Sequence, residues 1–210
     1  MALKDIKLKI LATKRMNKVT RAMEAVSAVK MRKTQNAAFN GRAYARAALS
    51  ILTRLSGTED VMRHPLAAKR KGDTIALVLL TSDKGLAGGL NAGVLKRALG
   101  ALEGREKSKV LVYAYGRKGQ EYFHNRGYTI ATSYENKSDD VDIVAMEEIA
   151  KELSDGFLAG KFNKVVTVYS HFKSTFEQVP TMRRLLPLSL VALTEIVEGI
   201  TPAKGKWSTV

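Results

Sequence analysis

The first 55 residues contain no proline and a single glycine, Gly41, and are built mainly from Ala, Lys, Leu, Met and Arg, all strong helix formers. A continuous helix of about 50 residues is about 75 Å long at 1.5 Å per residue, well beyond the diameter of a domain this size. Such a helix is expected to project. Ala12, Met16, Val19, Met23 and Val26 recur with a 4-3-4-3 spacing, with Lys14, Arg15, Lys18 and Arg21 between them, the pattern of a coiled-coil seam. The other helical patterns span only about 10 to 17 residues each, too short to cover the seam, so the packing partner is expected from outside this sequence.

The same segment carries thirteen Lys and Arg against two acids, Asp5 and Glu24, so +11 of the chain's +15 net charge sits there. A charge excess confined to one element points to an acidic partner for that element. One candidate is nucleic acid, since a pI near 10.0 and a stripe of cations suit phosphate contacts. The first 55 residues hold only Phe39 and Tyr44 as aromatics and no recognised reading motif, which argues against that partner.

The remainder follows a different design. At 210 residues and 45% hydrophobic content the chain can bury a core. It has no cysteine, which removes disulfides and thiol chemistry. His64, His124 and His171 are scattered without ligand spacing. The apolar runs "IALVLL" and "LLPLSLVAL" fall short of the roughly 18 residues of a membrane span, and the N-terminus lacks the apolar core of a secretory signal. Residues 56–73 have the Gly, Pro and mixed charge of a linker. Beyond them apolar runs at 75–80, 110–115, 128–132 and 165–169 alternate with helical patterns at 92–102, 117–125 and 141–158. That alternation predicts an α/β domain over 74–210, Rossmann-like, with a mostly parallel sheet and helices on its faces. Residues 172–193 are expected to add antiparallel edge strands, with bends at Pro180 and Pro187. Asp139, Asp140 and Asp142 lack the remaining ligands of a calcium loop and fit a loop entering a helix N-terminus.

The turn "TSDKGLAGGLN", Thr81 to Asn91, raises the question of a phosphate site, because it joins a strand to a helix and holds Gly85, Gly88 and Gly89. It matches neither G-x-G-x-x-G nor G-x-x-x-x-G-K-[ST]. A small α/β enzyme with a phosphate site at 85–91 is one reading. The other is a tight turn in which glycine permits positive φ and close packing.

The stretch "SDKGLAGGLN" resembles the "SD-basic-GL-small-GG" signature of the gamma subunit of rotary ATP synthases, carried here by Ser82, Asp83, Lys84, Gly85, Gly88, Gly89 and Asn91. The resemblance extends to "IKLKILATKRMNKVTRAMEAVSAVKMRKTQ", similar to that family's opening helix, to "YGRKGQEYF" (115–123) and to "FNKVVTVYSHFKSTFEQVPTMRRLLPL" (162–188). It implies a non-catalytic central-stalk subunit, with catalytic residues on the beta subunit and no cofactor or metal of its own. The long helix would form half of a coiled-coil shaft inside a ring of alpha and beta subunits, and the α/β domain would lie against the epsilon subunit and the c-subunit ring. Such a rotor couples proton flow to ATP synthesis. It would be peripheral on the inner face of an energy-coupling membrane, most simply a bacterial cytoplasmic membrane. By the same resemblance Lys18, Arg21, Met23, Lys30 and Arg32 fall on the segment that bears on an acidic loop of the beta subunit. The family's chain continues past the position resembling Trp207 into a long C-terminal helix, whereas this sequence stops at Val210, so that half of the shaft is expected to be missing.

Overall fold

The computed structural model describes residues 3–55, 63–135, 142–174 and 176–189. Part of the expected linker (56–62), Asp139 and Asp140, and the stretch from Leu190 through Trp207 to Val210 lie outside them. Contacts divide the chain into two units, Met1–Tyr44 and Ala45–Val210.

Helix α1 runs unbroken over Leu3–Leu55, a length of about 80 Å. The seam residues Met16, Val19, Met23 and Val26 are 70, 59, 52 and 56% exposed. Thr13, Thr20, Ser27 and Thr34 fall every seventh residue alongside the seam. The three threonine hydroxyls donate back to the carbonyls of Lys9, Met16 and Lys30 at 2.9, 2.9 and 3.1 Å, so each polar group is satisfied within the helix and the row stays slim.

The second unit is an α/β sandwich of three layers. Its strands are β1 (Ile75–Leu80), β2 (Val110–Tyr115), β3 (Thr129–Tyr134), β4 (Lys164–Phe172) and β5 (Gln178–Leu186); its helices are α2 (Leu90–Ala101), α3 (Arg117–His124) and α4 (Ile143–Leu158). The sheet order is β3-β2-β1-β4-β5, parallel except for the antiparallel pair β4–β5. "IALVLL" has no polar alternation because β1 is the middle strand, buried on both faces from Ile75 to Leu79. Leu77, Leu79, Val110, Val112 and Ala114 pack under α2 and α3 with Val94, Leu95, Ala98 and Phe123. Ala76, Val78, Tyr113 and Val165 face the other way, against Ile149, Leu153 and Phe157 of α4 and Phe162.

Helix α4 starts where Asp142 accepts a hydrogen bond from the Ala145 amide at 3.1 Å, the N-cap role open to an acid at a helix start. On the same helix Glu152 accepts from the Thr132 hydroxyl at 3.0 and 3.2 Å. It also lies beside the Tyr113 hydroxyl, and burial, reinforced by this carboxylate, pushes the Tyr113 pKa up to about 12. A tyrosine raised in the folded state stabilises it fully below its ordinary pKa near 10, and that contribution is lost as pH climbs from about 10 to about 12. A spectrophotometric titration should therefore show one tyrosine ionising near 12, absent in Tyr113→Phe.

One expectation is corrected. The chain does not bend at Pro180: β5 runs straight through it, with Pro180 opposite Ser170. An edge strand offers one side of its ladder to nothing, so a residue without an N–H is tolerated there, and the ring lies against Gly93 of α2, where a Cβ would come within 2.7 Å of Pro180 Cγ. Pro187 does mark the end of β5, after a cis Leu186–Pro187 bond. Residues 63–73 make several contacts with the sandwich. Asn163 accepts from the Thr74 amide at 3.3 Å and donates to Lys71 O at 2.8 Å. The Leu188 amide donates to Leu66 O at 2.8 Å, and the Arg70 guanidinium sits 4.8 Å above the Phe157 ring. The opposite edge, β3, carries a register shift: Val112 pairs with Ile130 and Tyr113 with Thr132, leaving Ala131 as an extra residue.

Candidate functional site

The glycine turn leaves β1 at the C-terminal edge of the parallel strands. From β1 the chain steps outward through β2 to β3, then crosses to β4 on the other side of β1. Doubly wound folds hold their ligands where the strand order reverses in this way, so the turn is positioned where a nucleotide would be sought.

Its hydrogen bonds lead elsewhere. A phosphate cradle directs backbone amides at the start of the helix that follows it, here α2. Instead Thr81, Ser82 and Asp83 lean sideways onto the start of α3. Asp83 Oδ1 accepts from the Arg117 amide at 2.9 Å, Ser82 O from the Lys118 amide at 3.1 Å, and Thr81 Oγ1 from the Gly119 amide at 2.8 Å. Arg117 also directs Nε and Nη2 at Asp83 O, at 3.4 and 3.3 Å. On the α2 side, Asn91 Oδ1 accepts from the Ser82 amide at 3.0 Å and Asn91 Nδ2 donates to Ser82 Oγ at 2.7 Å.

Of the seven signature residues, then, Ser82, Asp83 and Asn91 are drawn together, whereas Lys84, Gly85, Gly88 and Gly89 occupy the open arc of the turn. Close packing does not explain these glycines, because a Cβ at any of the three would meet nothing within 4 Å. Gly88 alone among them has positive φ, +56°. Leu86, at the top of the arc, combines φ +62° with 96% exposure. The positions where this corner requires glycine are Gly116, with φ +105° and Thr81 directly in the path of a Cβ, and Gly119, where a Cβ would lie 2.6 Å from Leu79 Cδ2. Both lie in the "YGRKGQEYF" block, but the need for glycine there is not readable from local spacing, since the obstructing residue is more than 30 positions away.

The five basic-helix residues are not one patch. At 100° per residue Lys18, Arg21 and Arg32 fall within about 60° of one another, whereas Met23 and Lys30 lie roughly opposite, on the side of the seam. The apolar seam thus meets a cation at Lys30 after Val26. All five are exposed. Among the described residues no group of three or more His, Asp or Glu is arranged to hold a metal ion, and no helix is long and apolar enough to cross a membrane.

The family model described as ATP synthase matches residues 2–207, and the relatives it resembles are gamma chains. This chain belongs to the ATP synthase gamma-chain family. It is 36% identical over 187 residues to the ATP synthase gamma chain of Pelotomaculum thermopropionicum, covering 89% of this chain and 65% of that one. With the gamma chain of Chlorobaculum parvum it shares 34% identity over 203 residues, 94% of this chain and 70% of the relative. Its fold is similar to a chain in the central stalk and c-ring of the Tetrahymena thermophila mitochondrial ATP synthase, with a TM-score of 0.66 and 25% identity, covering 89% of this chain and 79% of the other. The chain spans about 65% of the length of the first gamma-chain relatives it matches. Gamma-chain membership accounts for the pairing of a long exposed helix with a sandwich whose glycine turn is not built as a phosphate cradle.

Proposed function

We propose that this chain is a non-catalytic rotor element of a proton-translocating ATP synthase, coupling ion flow in the membrane sector to ATP synthesis or hydrolysis in the catalytic ring. The observation that carries the reading is family membership across residues 2–207 together with a 53-residue helix whose apolar seam is left uncovered. Alpha and beta subunits surround α1, the epsilon subunit and the c-subunit ring hold the sandwich, and the complex sits on the inner face of an energy-coupling membrane. Catalysis belongs to the beta subunit. Lys18, Arg21 and Arg32, on one side of α1, face an acidic surface that moves past them. Exposed ion pairs of about 0 to 1 kcal/mol each let such a surface slide without locking. Met23 and Lys30 lie on the seam side, where Met23 gives a flexible apolar contact and Lys30 meets an acid of the packing partner.

The test is co-purification of the tagged chain from gently solubilised membranes, with subunits identified by mass. Alpha, beta and epsilon subunits are expected in the eluate. Their absence, with nucleic acid recovered instead and lost steeply as salt rises, would replace this reading with that of a nucleic-acid-binding protein.

A further inference from the structure

Helix α3 begins after Gly116, which has no side chain to cap it and whose own φ is +105°. A helix start leaves four amides without intrahelical acceptors, and here three of them, from Arg117, Lys118 and Gly119, are taken by Asp83 Oδ1, Ser82 O and Thr81 Oγ1. The sequence separations are 34, 36 and 38 residues, so the cap comes from a different βα unit. The one charged acceptor is Asp83, and it stands where the positive end of the helix dipole favours negative charge. The guanidinium of Arg117 folds back to the carbonyl of the same residue at 3.3 and 3.4 Å, which fixes the backbone as well as the carboxylate. On the other side the Asn91 pair with Ser82 ties the turn to α2.

We infer that the Asp83 carboxylate is an internal counter-anion that locks the glycine turn onto α3, filling from within the place that an external anion takes at an open helix start. The turn is then a strut with both feet fixed, one on α3 and one on α2; within its arc the Ser82 hydroxyl donates to Lys84 O at 2.7 Å, and the Ala87 and Gly89 carbonyls accept from the Leu90 and Gly93 amides of α2 at 3.3 and 2.9 Å. This does not rest on the rotor reading. It concerns how the corner is built, and a chain of any function with these contacts would share it.

The experiment is amide hydrogen exchange on the whole chain, comparing wild type with Asp83→Ala and Asp83→Asn. Loss of a capping carboxylate is expected to speed exchange at Arg117, Lys118 and Gly119 about five- to tenfold in Asp83→Ala, with faster exchange also along 84–89. Inorganic phosphate should reverse the acceleration at Arg117 to Gly119 in Asp83→Ala beyond the effect of sodium chloride at equal ionic strength, and should leave wild type unchanged. Asp83→Asn keeps an acceptor oxygen but loses the charge, and should speed exchange at these amides by a smaller factor than Asp83→Ala; it carries the comparison if the alanine variant fails to fold. Unaltered exchange in Asp83→Ala, no response of that variant to phosphate, or wild-type exchange in Asp83→Asn would each overturn the inference.

Discussion

Gly116→Ala should destabilise the sandwich by about 3 to 5 kcal/mol, combining backbone strain with overpacking. At φ +105° an alanine is strained wherever it points, and this one would point its methyl at the carbonyl and hydroxyl of Thr81. Neither neighbour can retreat cheaply. The Thr81 amide donates to Tyr115 O and the Gly116 amide to Tyr134 O, both at 2.8 Å, and Thr81 Oγ1 bonds to Gly116 O at 3.1 Å. Relief therefore means opening the junction of β1, β2 and β3 along with the Asp83 contact to α3. For a domain whose total stability is about 5 to 15 kcal/mol, urea unfolding should move to much lower denaturant. A midpoint within about 1 kcal/mol of wild type would show that the junction yields more easily than its hydrogen bonds imply.

Phe157→Ala is the second large effect, expected at about 3 to 5 kcal/mol. Phe157 is fully buried near the end of α4 and belongs to the cluster with Ile149, Leu153 and Phe162. Its ring is also the surface on which Arg70 rests, while Arg70 Nη2 donates to Leu158 O at 3.0 Å. Truncation thus leaves a cavity beneath α4 and loosens the docking of 63–73 in one step. Denaturation combined with limited proteolysis should detect both: a lowered midpoint, and new cleavage within 63–73. Cleavage there without a stability loss, or the reverse, would show that the two are not coupled through this ring.

The architecture was legible because its signals are local. The run of β1 lacks polar residues for the reason that both of its faces are covered, and α4 announces itself by Asp142 followed by Ala145, Ile149 and Leu153 at helical spacing. Failures came where the deciding contact is distant. Pro180 suggested a bend on intrinsic preference, but edge position and the absence of a side chain at Gly93 let it stay in register. Residues 63–73 have the composition of a linker, and their contacts are to distant positions, among them Phe157, Leu158, Asn163 and Leu188, about 90 to 120 residues later. At the turn, Ser82, Asp83 and Asn91 were identifiable through resemblance to a signature. That the carboxylate serves α3 was not, because the helix start it caps lies 34 residues on and nothing in the sequence links the two segments.

The two margins of the sheet have a consequence for how the chain survives before it meets any partner. Unpaired strand edges invite further strands and, through them, aggregation. At one margin the extra residue Ala131 breaks the regular spacing of β3; at the other Pro180 removes a donor in the middle of β5, with Arg183 and Arg184 beside it. Among the described residues, each border thus carries an interruption of the regular ladder. Among the described residues, the apolar stripe of α1 is flanked by cations that oppose the approach of a second copy. A surface of that charge favours encounters with acidic partners over encounters with its own kind.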